Sequence, residues 1–475
     1  MSTSDSSGTA QPGPFADPLT DHPRAASAPG GFFGHPRGLS VLFFTEMWER
    51  FSYYGMRAFL ILYMVHVLGF DDRHAGSIYG TYTASAWAAA IVGGIIADRW
   101  LGQYKSVLVG GIIIALGHFT LALHPLPFFY TGLGLIVIGT GLLKPNVSGI
   151  VGSLYDTNDS RRDAGFSIFY MGINLGAALG PFIAGGLAQR VDWHLGFACA
   201  GVGMTIGLIQ YVMGRKHLRP AIERLERQRS EARTAARDAK AAQDAAGAAT
   251  PSHVRTHAGF TVVEWKRLAA MAVFFVLAAV FWGAYEQAGS SLNLFGDRYT
   301  RTSMFGVSFP SSWFLTIQAI WVIVLAPAFA WLWIRLGKYE PSTPAKFAIG
   351  LLFTGLSFLF LLIPAVHLQA SPGLRVSPFW LIGCYFIQEL GELSLSPVGL
   401  SVFTKLSPVK IVGFMLGVWF LADSVGSKVA GYAAGFISSA PMTQLFGVTA
   451  GVCLGASLVA FLMIKPMRSL MGGVH

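Results

Sequence analysis

Twelve stretches of this chain are each long and apolar enough to cross a lipid bilayer as a helix. A helix needs about 20 residues to traverse a hydrocarbon layer of ~30 Å. Backbone in that layer finds no water, so it must close its hydrogen bonds internally, as a helix or as a closed barrel. The stretches are too long for barrel strands and lack strict alternation, which selects helices. They fall at roughly 38–68, 75–97, 104–123, 127–152, 164–188 and 194–214, then 264–291, 308–336, 344–366, 376–404, 409–437 and 443–465. Composition agrees. Residues are 53% hydrophobic and 12% charged, about half the ~25% charged share of a soluble domain. The expected fold class is an all-α polytopic membrane protein with twelve transmembrane helices. A disordered chain, a coiled coil and a soluble enzyme of ordinary composition are excluded.

The remaining segments are polar. Residues 1–34, rich in Ser, Pro, Gly and Ala, are expected to form a disordered tail. Residues 215–262 carry AIERLERQRSEARTAARDAKAAQ, too charged to span, and predict a solvated or membrane-surface helix between two six-span halves. The expected division is therefore tail 1–34, first bundle 35–214, charged linker 215–262, second bundle 263–467 and tail 468–475. Three cysteines (Cys199, Cys384 and Cys453) sit in apolar runs without metal or disulfide spacing.

The net charge of +10 is a statement about orientation. With both termini placed in the cytoplasm, 25 of the 34 Lys and Arg residues fall on that side, five fall outside and four lie within spans. That asymmetry follows the positive-inside rule and leaves no basic patch that calls for nucleic acid.

An ionisable side chain at mid-bilayer costs at least ~2.5–3.5 kcal/mol, so such groups face other helices or water. The first span alone carries Glu46, Glu49, Arg50 and Arg57, in TEMWERFSYYGMRAF. Positions 46, 50, 53/54 and 57 fall on one helical stripe, which joins Tyr53 and Tyr54 to the charges. Lys144, Glu286, Glu389, Glu392, Asp423 and Lys428 lie in other spans. Six intramembrane acids thus meet four bases. A surplus of carboxylates in low dielectric suits proton binding, and a cation moving toward or away from one changes its proton affinity. Lys144-Pro145, Ser396-Pro397 and Gly180-Pro181 predict helix breaks beside these charges.

The halves echo each other. GGIIADRWLGQYKS after the second span and AWLWIRLGKYEPS after the eighth place similar residues at corresponding positions. Two parallel six-span repeats are the build of the major facilitator fold.

EMWERFSYYG matches ExxERFxYYG, the first-span motif of the proton-coupled oligopeptide transporters, at every specified position. FYMGINLGAALGP, GLLKPNVS and GELSLSPVGLS resemble that family's patterns in the fifth, fourth and tenth spans. The resemblance runs from about Gly34 to Pro466. It implies a bacterial symporter that imports di- and tripeptides, and peptide-like drugs, with protons. It further implies a monomer in the cell membrane, without cofactor. Arg50 and Lys144, with Tyr53, Tyr54 and Arg57, resemble the side that holds the peptide carboxylate. Asn174 and Glu392 resemble the side that receives its amino group. Glu46 and Glu49 resemble proton-linked carboxylates that pair with Lys144 or Arg50. Arg57 and Glu286 resemble the outer gate, and Trp282 and Trp419 the pocket walls. Departures occur at Leu315 and Gln318, where relatives have Gln and Asn, and at Trp87, where Tyr is usual. The two additional helices that many bacterial members insert between the halves are not expected.

A same-fold carrier of nitrate or a metabolite is the alternative, but such an anion carrier has no need of Glu392, Glu46 and Glu49. A membrane enzyme is disfavoured: the sequence has no Gly-x-Ser-x-Gly, His-Glu-x-x-His or P-loop string. His66 and His118 lie on spans and are expected to be hydrogen-bonded structural residues.

Overall fold

The structure is a computed structural model that describes residues 31–156, 159, 161–245, 260–371, 373–408 and 411–472. Most of the expected tail 1–34 lies outside these residues. Twelve long helices follow one another: α1 (Arg37–His66), α2 (Asp72–Ile96), α3 (Gln103–Leu121), α4 (Leu126–Ser153), α5 (Arg162–Gly180) and α6 (Trp193–Met213), then α7 (Val262–Tyr285), α8 (Trp313–Leu336), α9 (Thr343–Ala370), α10 (Phe379–Leu406), α11 (Val412–Ala434) and α12 (Met442–Leu462). Nine of the helices, extended by their short continuations, are long and apolar enough to cross a membrane by hydropathy alone. The other three, α1, α10 and α11, carry charged side chains at mid-helix.

The linker forms a helix, Arg215–Ala245. Its first turns are docked: Leu218 and Ala221 are buried, and Arg224 donates to the Ser153 and Tyr155 carbonyls at 3.0 and 2.9 Å. In the neighbouring loop, hydrogen bonds from Arg161 hold the Asp159 carboxyl down at about 2, so it stays ionised at neutral pH.

Within the first half α3 packs on α4 and α1 on α5 and α6. Within the second, α9 packs on α10 and α12. The halves meet along α2–α11 and α5–α8. Small residues make the first of these seams possible, because without a Cβ two backbones can approach closely in a membrane. A Cβ on Gly431 would collide with the Gly76 carbonyl and the Gly80 backbone. Gly431→Val is therefore expected to lower the thermal unfolding midpoint by several degrees, since overpacking costs about 1–3 kcal/mol. Fluorescence-monitored unfolding in detergent checks this; an unchanged midpoint would mean that the seam can open freely.

The two echoing loops share a backbone device. After α2 the chain passes through a π-helical turn, Ala97–Leu101, and turns at Gly102 with φ +76°. After α8 it turns at Gly337 with φ +47°. Both positions lie in the left-handed region that favours glycine.

The expected breaks at Pro145 and Pro397 are corrected: both prolines lie inside continuous helices. Pro145 cannot bond the Gly141 carbonyl one turn back. That carbonyl instead packs against Gly93 of α2, where a Cβ would collide with it. The helices change geometry elsewhere, in a π-helical turn at Pro181–Gly185 after α5 and a 3-10 turn at Glu286–Gly289 after α7.

Polar bonds between the halves concentrate at the end away from the linker. There Arg298 grips Asp72 at 2.6 and 2.8 Å. Asn293 donates to the Ala58 carbonyl at 2.7 Å, Gln189 to the Ser311 hydroxyl at 2.8 Å, and His66 meets Asp297 at 2.8 Å. At the linker end Leu400 and Phe414 are exposed, the latter by 63%.

Candidate functional site

The α1 stripe forms as its spacing predicts. Arg50, 2% exposed, ion-pairs with Glu46 through Nε at 3.1 Å and with Glu49. Its guanidinium lies 5.4 Å from the Tyr53 ring centroid and 5.9 Å from that of Tyr54. Two turns on, Arg57 forms an ion pair with Glu286 of the other half and donates to the Tyr79 hydroxyl. Its guanidinium also faces Tyr54, 5.7 Å from the centroid. Glu286 begins the 3-10 turn that follows α7, and Gly289 in that turn leaves room for Tyr79 and Arg57, which a Cβ would strike.

Of the two partners foreseen for Glu46 and Glu49, the structure selects Arg50. Lys144 of α4 makes no ion pair among the described residues. Its Nζ sits 2.8 Å from the centroid of the Trp87 ring, a cation–π contact favoured where water is excluded. Glu46, Glu49, Asp423 and Arg50 are its charged neighbours.

The opposite wall comes from α5, α7, α8 and α10. Asn174 is buried and donates to the Tyr170 carbonyl at 3.0 Å. Tyr170 interacts electrostatically with Glu392, Glu389 and Tyr54, which ties this wall to the α1 stripe. Tyr285 donates to Glu389 at 2.9 Å, and Gln318 lies beside the same carboxylate. Trp282 stands edge-on to Tyr285 at 5.4 Å. Trp419 is placed differently. It packs against Phe403 and Phe347 at 5.3 and 6.4 Å, over Gly399, within the apolar core of the second half.

Many buried polar atoms around these groups have no partner among the described residues. They include Arg50 Nη2, Tyr53 Oη, Gln318 Nε2, Glu389 Oε2 and Glu392 Oε2. A buried polar atom left unpaired costs about 1–3 kcal/mol. Both walls carry donors and acceptors, with Glu46 Oε2 and Glu49 Oε1 beside Arg50 Nη2 on one and Gln318 Nε2 beside the Glu389 and Glu392 oxygens on the other. A molecule that is an acid at one end and an amine at the other can meet Arg50 with its acid and Glu389 and Glu392 with its amine. Among the described residues no group of His, Cys, Asp and Glu is arranged to hold a metal ion.

Several participants escaped the sequence reading. Glu389 and Asp423 were visible as intramembrane carboxylates, yet only the packing places them next to Tyr285 and Lys144. Tyr79, Tyr170 and Tyr285 carried no signal, because a tyrosine in a span usually packs or anchors. Trp87 was visible as a departure from the usual Tyr, but not as the seat of Lys144. His118 corrects an expectation: it is fully buried and neither ring nitrogen has a partner among the described residues. His66, by contrast, has the expected hydrogen bond.

The fold is shared with known proteins. The POT family model matches residues 104–452. A peptide transporter of Yersinia enterocolitica is 36% identical, covering 95% of this chain and 98% of the relative. A di-/tripeptide transporter of Lactococcus lactis is 35% identical over 94% and 98%. A crystal structure of a POT peptide transporter in complex with sulfate superposes with a TM-score of 0.82 at 39% identity, over 94% of this chain and 97% of that one. A POT family transporter in complex with 5-aminolevulinic acid gives 0.80 at 33% identity, over 92% and 98%. With the major facilitator architecture and the sequence similarity both extending over more than nine-tenths of its length, this chain belongs to the POT family of membrane transporters.

Proposed function

We propose that the chain imports di- and tripeptides together with protons across the cell membrane, by alternating access, as a monomer with both termini in the cytoplasm. The observation that carries this reading is the unlike charge of the two halves. Arg50 and Lys144 offer cations on the first, while Glu389 and Glu392, which make no ion pair among the described residues, offer carboxylates on the second. A zwitterionic peptide is a dipole of limited length, and charge-assisted bonds to its two ends are strong. Recognition through the ends leaves the side chains free to vary. The same logic extends to peptide-like compounds with one amino and one acidic end, such as the 5-aminolevulinic acid bound to a relative.

The two bundles, 35–214 and 263–467, rock about this site, joined by the linker 215–262. Arg57–Glu286 closes its outer side, and Glu46 and Glu49 exchange protons as their ion pairs with Arg50 form and part. Their buried position makes the proton count depend on the position of the cations. The 25-to-5 distribution of Lys and Arg supports the orientation. Entry of one net positive charge per cycle contributes ~2.3 kcal/mol per 100 mV, about 50-fold accumulation.

Purified protein in proteoliposomes, given an inward proton gradient, is expected to accumulate labelled dialanine above the external level, and a protonophore is expected to abolish this. No driven uptake of any di- or tripeptide would end the reading. Glu392→Gln is expected to weaken peptides with a free amino terminus by about 10–150-fold, the size of a lost charge-assisted bond, and N-acetylated peptides far less. Competition assays with both peptide types check this; equal losses would remove Glu392 from the amino end.

A further inference from the structure

Lys144 is a buried ammonium without an ion-paired carboxylate among the described residues. Two of its acidic neighbours, Glu46 and Glu49, are already held by Arg50. The third, Asp423, belongs to α11 of the other half. Asp423 is 4% exposed, and its own bond is a long one, 3.3 Å from the Ser427 hydroxyl. The groups facing it from other elements are Lys144 of α4, Arg57 and Tyr54 of α1, and Glu286 of the 3-10 turn after α7. Arg57 is committed to Glu286. On its own helix, Lys428 turns away to the Thr81 hydroxyl and the Ser77 carbonyl of α2.

The α2–α11 seam sets the register of this pair. Ser424 donates to the Ala84 carbonyl at 2.7 Å. One turn along α2, the Trp87 ring stacks on Phe420 with centroids 5.9 Å apart and planes 14° apart. The ring that carries Lys144 therefore rests on α11, one helical turn from Asp423. Charge balance points the same way. Arg50, Arg57 and Lys144 are three cations, and Glu46, Glu49, Glu286 and Asp423 are four carboxylates. One proton restores neutrality.

We infer that Asp423 is a proton-linked carboxylate of the transport cycle and the counter-ion that the second half offers to Lys144. The inference rests on the reading of the chain as a proton-coupled peptide carrier. Ionised Asp423 draws the ammonium across Trp87 toward α11. When Asp423 takes a proton from water, the attraction ends, and Lys144 is free for Glu46, Glu49 or the peptide carboxylate. Loss of that proton to water resets the pair. The position of one cation then reports the protonation of one carboxyl across the interface between the halves.

The test uses the full chain in proteoliposomes. Gradient-driven dialanine uptake is measured from pH 5 to 8 for the natural protein, Asp423→Asn and Asp423→Glu. In Asp423→Asn the midpoint of the pH profile is expected to move by at least about half a unit, and in Asp423→Glu to return toward the natural value. A uniform loss of rate with an unmoved midpoint, or a glutamate variant indistinguishable from the asparagine one, would overturn the inference. Dicyclohexylcarbodiimide, which adds to protonated carboxyls in apolar surroundings, provides a measurement on the unsubstituted protein. Peptide mapping is expected to find an adduct at Asp423 that falls as pH rises; no adduct there at any pH would also overturn it. If the unsubstituted protein moves no peptide, the transport reading fails on its own, and the labelling still decides whether Asp423 binds a proton.

Discussion

Replacing Lys144 by alanine is expected to abolish proton-driven accumulation while leaving peptide exchange across the membrane measurable. The two readouts separate because they need different things. Exchange needs a site that binds peptide and reorients. Arg50, with its guanidinium close to Tyr53 and Tyr54, still provides one cation for the peptide carboxylate. Accumulation needs proton binding to depend on the state of the site, and the cation among the buried carboxylates that is not held by one of them is Lys144, which lies on Trp87 without a salt bridge among the described residues. Without the ammonium, Glu46, Glu49 and Asp423 face one cation fewer, and the coupling between their protons and the peptide is lost. Peptide affinity is expected to fall by about 10–150-fold as well, the equivalent of a charge-assisted hydrogen bond of about 1.5–3 kcal/mol. Counterflow and gradient-driven uptake, measured on the same vesicles, check this. Undiminished accumulation by Lys144→Ala would remove the residue from coupling.

Glu286→Gln is expected to open the outer side. Arg57 and Glu286 are 4% exposed, and both would be costly alone. Removing one partner of a buried ion pair costs about 3–5 kcal/mol, because the other charge is left uncompensated. That is a factor of about 10²–10⁴ in the equilibrium between closed and open outer sides. The remaining bonds at that end, such as Arg298 to Asp72 and Asn293 to Ala58, resist the change. Spin labels at Val67 and Leu374, both exposed and on different halves, are expected to give longer distances in the variant. An unchanged distance distribution would assign closure to the peripheral bonds instead.

How much of this could be read from the sequence depends on which physical rule applied. The lengths of the expected spans follow from hydrocarbon thickness, and twelve long helices lie near the expected places, nine of them apolar enough to cross a membrane by hydropathy alone. The stripe Glu46–Arg50–Tyr53/Tyr54–Arg57 follows from the helical period and was visible for the same reason. Pairing across helices obeys no sequence period. The seat of Lys144 on Trp87 and the approach of Asp423 depend on the α2–α11 seam, which glycines at 76, 80 and 431 allow. Proline misled for a related reason. At Pro145 the unbonded carbonyl found packing against Gly93, so α4 runs on without a break. Trp419, expected to wall a pocket, fills the core over Gly399 because nothing in its neighbourhood of the sequence reveals a glycine twenty residues earlier across the helix interface.

The most direct measurement is a structure of the reconstituted protein with dialanine bound. Peptide density is expected between the two halves, its carboxylate at Arg50 and Lys144 and its amino group at Glu392. Density at another location, or Arg50 and Glu392 turned to separate surroundings with no ligand between them, would contradict the account.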